Sequence, residues 1–297
     1  MLAIIDTDPG IDDAIAILFA LRHPGIEVVA LTTVAGNIGL PVTTDNAGRI
    51  AALAGVTVPV HPGAAAPLGR EAKNEVRIHG ADGLGGVTFP EAQEPPSKTG
   101  AVAAMSDLLM AAEPGVMDLF CLGPLTNIAR LLTDAPESAE RIGRVVAMGG
   151  AVDEPGNVAG NAEFNLGHDP EAAAAVLAAG LDLTLIPLDA TRQFRADAVY
   201  LEQLRETGAA PAIATADLID AYFEQTAHQA KGVESRPLHD PCVPLLALHP
   251  DLFHVETRGL QVDVSTGALI PGPTETSVAM GLDAKSLRDR LLGGLSS

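Results

Sequence analysis

The chain has 297 residues, 47% of them hydrophobic, enough to bury a substantial core in one large α/β domain or two small ones. A formal charge of −20 and a pI near 4.6 argue against a polymeric nucleic-acid partner, which needs a basic surface, but set no barrier to a small neutral ligand. Two cysteines, Cys121 and Cys242, without Cys-x-x-Cys spacing, cannot build a disulfide framework and predict two buried free thiols.

The chain opens on a short apolar run, Leu2 to Ile5, that lacks a basic region and meets Asp6 too soon for a secretory signal. No apolar run reaches membrane-spanning length, so the expectation is a cytoplasmic protein without a membrane partner. Asp6-Thr7-Asp8-Pro9-Gly10-Ile11-Asp12-Asp13 follows, with four carboxylates in eight residues. A long apolar stretch from Ala14 to Leu21 comes next, so the order reads buried strand, tight turn, helix. Asp12 or Asp13 could cap that helix, but capping needs one carboxylate and leaves the others unexplained. Clustered carboxylates repel unless a cation or a shared proton offsets the charge, and hard oxygen ligands suit Ca²⁺ or Mg²⁺ better than Zn²⁺. An EF-hand loop counted from Asp6 would need glycine and glutamate where Ile11 and Ile17 stand. A phosphatase of the haloacid-dehalogenase type would carry Thr or Val where Gly10 stands.

Residues 27–35 read as a strand closed by Ala35-Gly36-Asn37, residues 43–54 as a helix, and residues 56–60 as a short strand. Residues 61–97 are rich in Gly, Pro and Ala and form a long loop around His79-Gly80-Ala81-Asp82-Gly83, a candidate lid over a ligand. Helix over 101–112, strand over 116–121 and a helix begun by Gly123-Pro124-Leu125-Thr126-Asn127 repeat the same alternation. Residues 144–148 form the next strand, and the loop after it carries Asn157, Glu163, Phe164 and Asn165 before His168-Asp169-Pro170 opens a helix to Ala179. Taken alone, these polar residues could be solvated turn chemistry. Residues 181–187 read as a strand, Asp189 to Arg192 as a turn, and 195–230 as two helices divided around 208–211. Pro237-Leu238-His239-Asp240-Pro241 opens a helix reaching Leu248. Asp before proline is a common N-cap arrangement, and the chain uses it twice, at Asp169 and at Asp240, so local sequence cannot separate them. Residues 260–264 and 276–280 read as closing strands, and 286–297 as a tail that is helical and then disordered. With no linker, repeat or shift in composition, the expectation is one domain over 1–297, an open, mostly parallel Rossmann-like sheet flanked by helices.

Asp-Thr-Asp-Pro-Gly-Ile-Asp-Asp-Ala closely resembles the N-terminal signature of the inosine-uridine-preferring nucleoside hydrolases. Gly-Pro-Leu-Thr-Asn, Gly-Asn-Val followed by Glu-Phe-Asn, and Pro-Leu-His-Asp-Pro are similar to later motifs of that family, in the same order. The resemblance implies Ca²⁺-dependent hydrolysis of the N-glycosidic bond of a ribonucleoside. It implies Asp8, Asp13, Asp240 and the Leu122 carbonyl as metal ligands, with Asp8 the general base and Asp6 in support. It assigns Asp12 and Asn37 to the 2′ side of the ribose, Asn157, Glu163 and Asn165 to the 5′ and 3′ hydroxyls with Phe164 in the same segment, and Met148 beneath the sugar. His79 and Tyr222 are the implied base contacts, His239 the group that serves the leaving base, and a homodimer or homotetramer the implied assembly. The tyrosine that relatives often carry nearer Pro-Leu-His-Asp-Pro is absent, with His228 and Lys231 in that neighbourhood. Two other readings stand beside this one: a metal-dependent phosphohydrolase of the strand-end Asp-x-Asp type, and a non-catalytic ribonucleoside-binding protein.

Overall fold

Strand β1 (Leu2–Thr7) is buried from Ala3 onward on both of its faces, which is why it reads as an unbroken apolar run rather than an alternation. The computed structural model describes residues 1–72, 75–226 and 235–296. The further strands are β2 (Glu27–Thr33), β3 (Val60–Pro62), β4 (Met117–Cys121), β5 (Ile142–Met148), β6 (Leu183–Ile186), β7 (Arg195–Asp197), β8 (Ser235–Pro237), β9 (Phe253–Val262), β10 (Leu269–Pro271) and β11 (Thr274–Leu282). The helices are α1 (Ile11–Arg22), α2 (Leu40–Ala54), α3 (Val76–His79), α4 (Ala101–Ala111), α5 (Thr126–Asp134), α6 (Pro136–Ala139), α7 (Phe164–His168), α8 (Pro170–Ala178), α9 (Leu188–Thr191), α10 (Ala198–Glu206), α11 (Ala210–Gln225), α12 (Cys242–Leu248) and α13 (Ala284–Ser296).

Nine strands form one sheet in the order β10-β9-β11-β6-β5-β4-β1-β2-β3, and β7 and β8 pair in a separate ribbon. From β3 across to β11 every pairing is parallel, and β9 and β10 close the edge antiparallel. The chain runs outward from β1 in one direction through β2 and β3, then in the other through β4, β5 and β6. The connections therefore part between β1 and β4, and their carboxyl ends open a crevice of the kind in which α/β sheets bind ligands.

Helix α1 is apolar on nearly every side because α2, α11, α12 and α13 all pack around it. Apolar clusters cover both sheet faces, one built around α1, the other around α4, α5 and α8. Both cysteines are buried and free.

Several boundaries differ from the sequence reading. The strand expected over 56–60 is β3 (Val60–Pro62), since Pro59 has no N–H to offer a ladder and pairs only through its carbonyl, which accepts from Leu31 N–H at 2.9 Å. The turn at Asp189 is the single helical turn α9. The C-terminal segment does not fray but stays helical to Ser296, with Leu287, Leu291 and Leu295 buried. No helix among the described residues is long and apolar enough to cross a membrane.

Candidate active site

The acidic stretch lies at the carboxyl end of β1, where the strand turns into α1. Asp13 acts as the local staple: its carboxylate accepts from Thr7 Oγ1 at 2.6 Å, Gly10 N at 3.0 Å and Asn37 Nδ2 at 3.0 Å. Asp8 is fully buried, accepts from Asn37 N at 2.6 Å through Oδ2 and has no partner at Oδ1. Two glycines make room for that carboxylate. A Cβ at Gly36 would stand 2.1 Å from Asp8 Oδ2, and a Cβ at Gly123 would stand 2.1 Å from Oδ1. Asp6 sits one layer below, accepting from Thr32 Oγ1 at 2.6 Å and Asn127 Nδ2 at 2.8 Å, so it ties β1 to β2 and α5. Burial pushes its carboxyl up to about 6 against the pull of those two bonds.

Oxygens of Asp12, Asp13 and Asp240 lie within 4.8 Å of one another. Burial, then the charge of Asp13, raises Asp12 to about 7, and burial with the charges of Asp12, Asp13 and Asp8 pushes Asp240 well above the usual carboxylate range. Asp8 is raised in the same way, by burial first and by Asp13 second. Carboxylates at Asp8, Asp12 and Asp240 that resist ionisation because charges are buried together, with one orphaned oxygen at Asp8, fit a hard divalent cation. The closest trio includes Asp12, which the resemblance gave to the ribose. Asp8, expected as a ligand, lies outside it. The Leu122 carbonyl accepts from Asn165 Nδ2 at 2.8 Å and, with two lone pairs, keeps room for a second partner.

Asp12, Asn37, His79, Leu122, Met148, Asn157, Glu163, Phe164, Asn165, Tyr222, His239 and Asp240 all line one cavity of about 570 Å³. Residues separated by most of the chain thus converge on the crevice between β1 and β4. Glu163 caps α7, accepting from Asn165 N at 2.9 Å and Leu166 N at 3.3 Å, and also from Gly150 N at 2.9 Å. Burial nevertheless pushes its carboxyl up to about 7. Asn165 Nδ2 is shared between the carbonyls of Leu122 and Met148, which fixes the side chain against two strand ends.

The histidines enter from opposite sides. His79 is buried and accepts from Ile11 N at 3.0 Å through Nδ1, which docks this part of the 61–97 loop onto the start of α1. Gly10 permits that approach, since a Cβ there would lie 2.5 Å from His79 Nδ1. His239 stands with Nδ1 2.7 Å from Thr191 Oγ1. Burial holds both imidazoles down to about 4, helped at His239 by the cations Arg192 and Arg195, and opposed at His79 by Asp13.

Asp240 does not cap a helix: α12 begins after Pro241 without a side-chain cap, and the Asp240 side chain turns toward Asp12 and Asp13. Asp169, in the same local sequence, is the N-cap of α8.

Over residues 3–289 the sequence matches the model of the inosine-uridine preferring nucleoside hydrolases. The chain belongs to that family. It is 38% identical over 297 residues to the non-specific ribonucleoside hydrolase RihC of Escherichia coli, covering 96% of this chain and 94% of the relative. Among solved structures, a purine-preferring ribonucleoside hydrolase from Gardnerella vaginalis superposes with a TM-score of 0.92 at 30% identity, covering 100% of this chain and 98% of the other. The plant nucleoside hydrolase PpNRh1 superposes with a TM-score of 0.91 at 30% identity, covering 100% and 99%.

For a nucleoside hydrolase, several cavity residues escaped the sequence reading. Ile78, Arg77 and Glu75 come from α3 and its start, and Leu188 and Arg192 from α9 and the residue after it. The signal for the second pair was position, since Asp189 to Arg192 follows β6 at the same end of the sheet as the acidic stretch. The first three had no such signal, because a one-turn helix inside a long loop leaves no periodicity to read. His228 and Lys231 lie outside the described residues.

Proposed function

We propose that this nucleoside hydrolase uses Ca²⁺ to cleave the N-glycosidic bond of ribonucleosides, releasing ribose and free base. The observation that carries the reading is one cavity lined together by Asp12 and Asp240 of the acidic cluster, the Asn157, Glu163 and Asn165 set, and the two histidines, with Asp13 held within 4.8 Å of Asp12 and Asp240 behind that wall. It offers oxygen ligands for a cation, polar groups for sugar hydroxyls and N–H donors for a base.

Asp8, Asp13, Asp240 and the Leu122 carbonyl are the assigned ligands, with Asp12 close enough to share the role. A divalent cation held there supplies charge that acidifies water and polarises ribose hydroxyls. The chain's own groups do the rest. Asp8 keeps Oδ2 on Asn37 N–H and offers the unpartnered Oδ1 to the proton of the attacking water. Asp12 and Asn37 hold the 2′ side of the sugar, and Asn157, Glu163 and Asn165 its 5′ and 3′ hydroxyls. As the C–N bond breaks, its electron pair passes to the base, positive charge gathers at the anomeric carbon, and the water oxygen attacks that carbon. His239 donates to the departing base. Tyr222 and His79 border it.

A phosphohydrolase would leave the ribose set without a purpose. Because the 2′ hydroxyl is met by the buried Asn37 and the half-buried Asp12, its absence leaves partners unpaired, and 2′-deoxyuridine turns over more slowly than uridine. A homodimer or homotetramer is part of the same proposal, and light scattering tests it.

Reducing-sugar release from inosine, uridine, cytidine and adenosine with Ca²⁺ present, beside an Asp8→Ala control and phosphate release from nucleotides, tests the reading. Ribose release that falls at least about a hundredfold in the control is expected for loss of the general base. Phosphate release would return the phosphohydrolase, and nucleoside binding without turnover would mark a non-catalytic binder.

A further inference from the structure

Helix α9 follows β6 at the carboxyl end of the sheet, and the hydrolysis as derived assigns its residues nothing. Leu188 lines the cavity. The Asp189 carboxylate accepts from three successive amides, Val152 N at 2.9 Å, Asp153 N at 2.8 Å and Glu154 N at 2.9 Å, and so fastens the loop that leads to Asn157. Thr191 has no solvent exposure, its own N–H donates to Pro187 O at 3.1 Å, and its Oγ1 stands 2.7 Å from His239 Nδ1. The hydroxyl is therefore presented from a turn anchored at both ends.

His79 shows what such a contact does. The Ile11 amide can only donate, so His79 Nδ1 must accept and the proton of the neutral ring belongs on Nε2. A threonine hydroxyl can play the same part at His239. In a buried position it replaces an amide as the group that chooses the tautomer.

We propose that Thr191 is a positioning residue, whose hydroxyl donates to His239 Nδ1, fixes the plane of the ring and turns a protonated Nε2 toward the departing base. The proposal rests on the assignment of His239 to the leaving group. The Nε2–H donates a hydrogen bond to the base atom that gathers the electron pair of the breaking C–N bond. Partners that orient a ligating or catalytic histidine through its second nitrogen matter for this reason.

The test compares Thr191→Val, which keeps the shape and removes the hydroxyl, with Thr191→Ser and His239→Ala, all in the Ca²⁺-loaded enzyme. The substrates are inosine, uridine and p-nitrophenyl β-D-ribofuranoside, whose phenolate leaves without help. Thr191→Val is expected to lower kcat on the nucleosides about 10- to 100-fold, with KM nearly constant and nitrophenyl riboside turnover within about threefold. Thr191→Ser should recover most of the lost rate. In ¹⁵N spectra of the imidazoles, the His239 signal, identified by its loss in His239→Ala, should report Nε2–H in the native chain and a mixture in Thr191→Val. Equal losses on all substrates would show a structural role only and overturn the proposal, as would an unchanged Thr191→Val. If His239→Ala itself shows no dependence on the leaving group, the assignment of His239 fails and takes the proposal with it. If His239→Ala is selective and Thr191→Val is not, the proposal alone falls.

Discussion

His168-Asp169-Pro170 and His239-Asp240-Pro241 are the same three residues before two helices, and the structure puts them to opposite uses. Asp169 accepts from Ala172 N at 3.1 Å, Leu68 N at 2.9 Å and Thr126 Oγ1 at 2.6 Å, so its charge is spread over a helix start, a loop and a neighbouring helix. Asp240 caps nothing and faces other carboxylates. One site is satisfied by donors, and the other is held in a frustrated state that a cation relieves. A buried carboxylate surrounded by N–H groups stabilises the fold, and one surrounded by its own kind signals a ligand.

The largest expected effect breaks the comparison at its second member. Asp240→Asn should slow nucleoside hydrolysis by at least about a hundredfold, the scale on which metal sites fail when their supporting groups are lost. Stability of the metal-free chain should stay level or rise, because repulsion is removed with the charge. A marked fall in metal-free stability would show that Asp240 is a structural acid after all. The next effect uses the cation itself. Saturating Ca²⁺ should stabilise the native chain by about 2.7 kcal/mol at a hundred times its dissociation constant and leave Asp240→Asn nearly unmoved, as read by urea denaturation. Equal stabilisation of both would remove Asp240 from the ligand set.

Asp169→Ala should do the reverse, costing about 2 kcal/mol in stability from a lost cap and stranded donors. Its kcat on nucleosides should stay within about twofold, since the cap reaches neither cation nor sugar; a loss of rate without a loss of stability would contradict the division. Glu163 tests the middle ground, since it caps α7 as Asp169 caps α8 and lines the cavity as Asp240 does. Burial raises its carboxyl from 4.5 to about 7, so between those values the folded chain holds a proton that the unfolded chain has released. Its contribution is fully present below pH 4.5 and is lost as pH rises through 7. The stability advantage of the metal-free native chain over Glu163→Gln should therefore shrink from pH 5 to pH 8, and an advantage that grows with pH would refute the assignment.

Much of the fold was legible because strands covered on both faces leave continuous apolar runs, and their alternation with helices appears in β1-α1-β2-α2 and again in β4-α5 and β5. The acidic stretch was legible as a cation site on charge alone. The role of Asp240 was not legible locally, since nothing nearby distinguishes it from Asp169; in the sequence only the family resemblance separates the two, and in the structure contacts made across the whole chain do. Asp189 and Thr191 were missed for the same reason, as one helical turn has no periodicity and their partners, the 152–154 amides and His239, are distant in sequence. The closing strands expected over 260–264 and 276–280 are present and pair antiparallel, although β9 begins at Phe253 and β10, between them in the chain, adds the sheet edge beyond β9.

Helix α13 packs against α1, and Phe19 lies so near Gly294 that a Cβ there would approach its ring to 2.3 Å. During synthesis the order of appearance runs the other way. The helix that carries Asp12 and Asp13 leaves the ribosome well before the helix that covers its flank is made. Until then that apolar flank stays open to water, and a ribosome stalled before residue 284 would hold a chain whose acidic turn is complete in sequence and unfinished in packing.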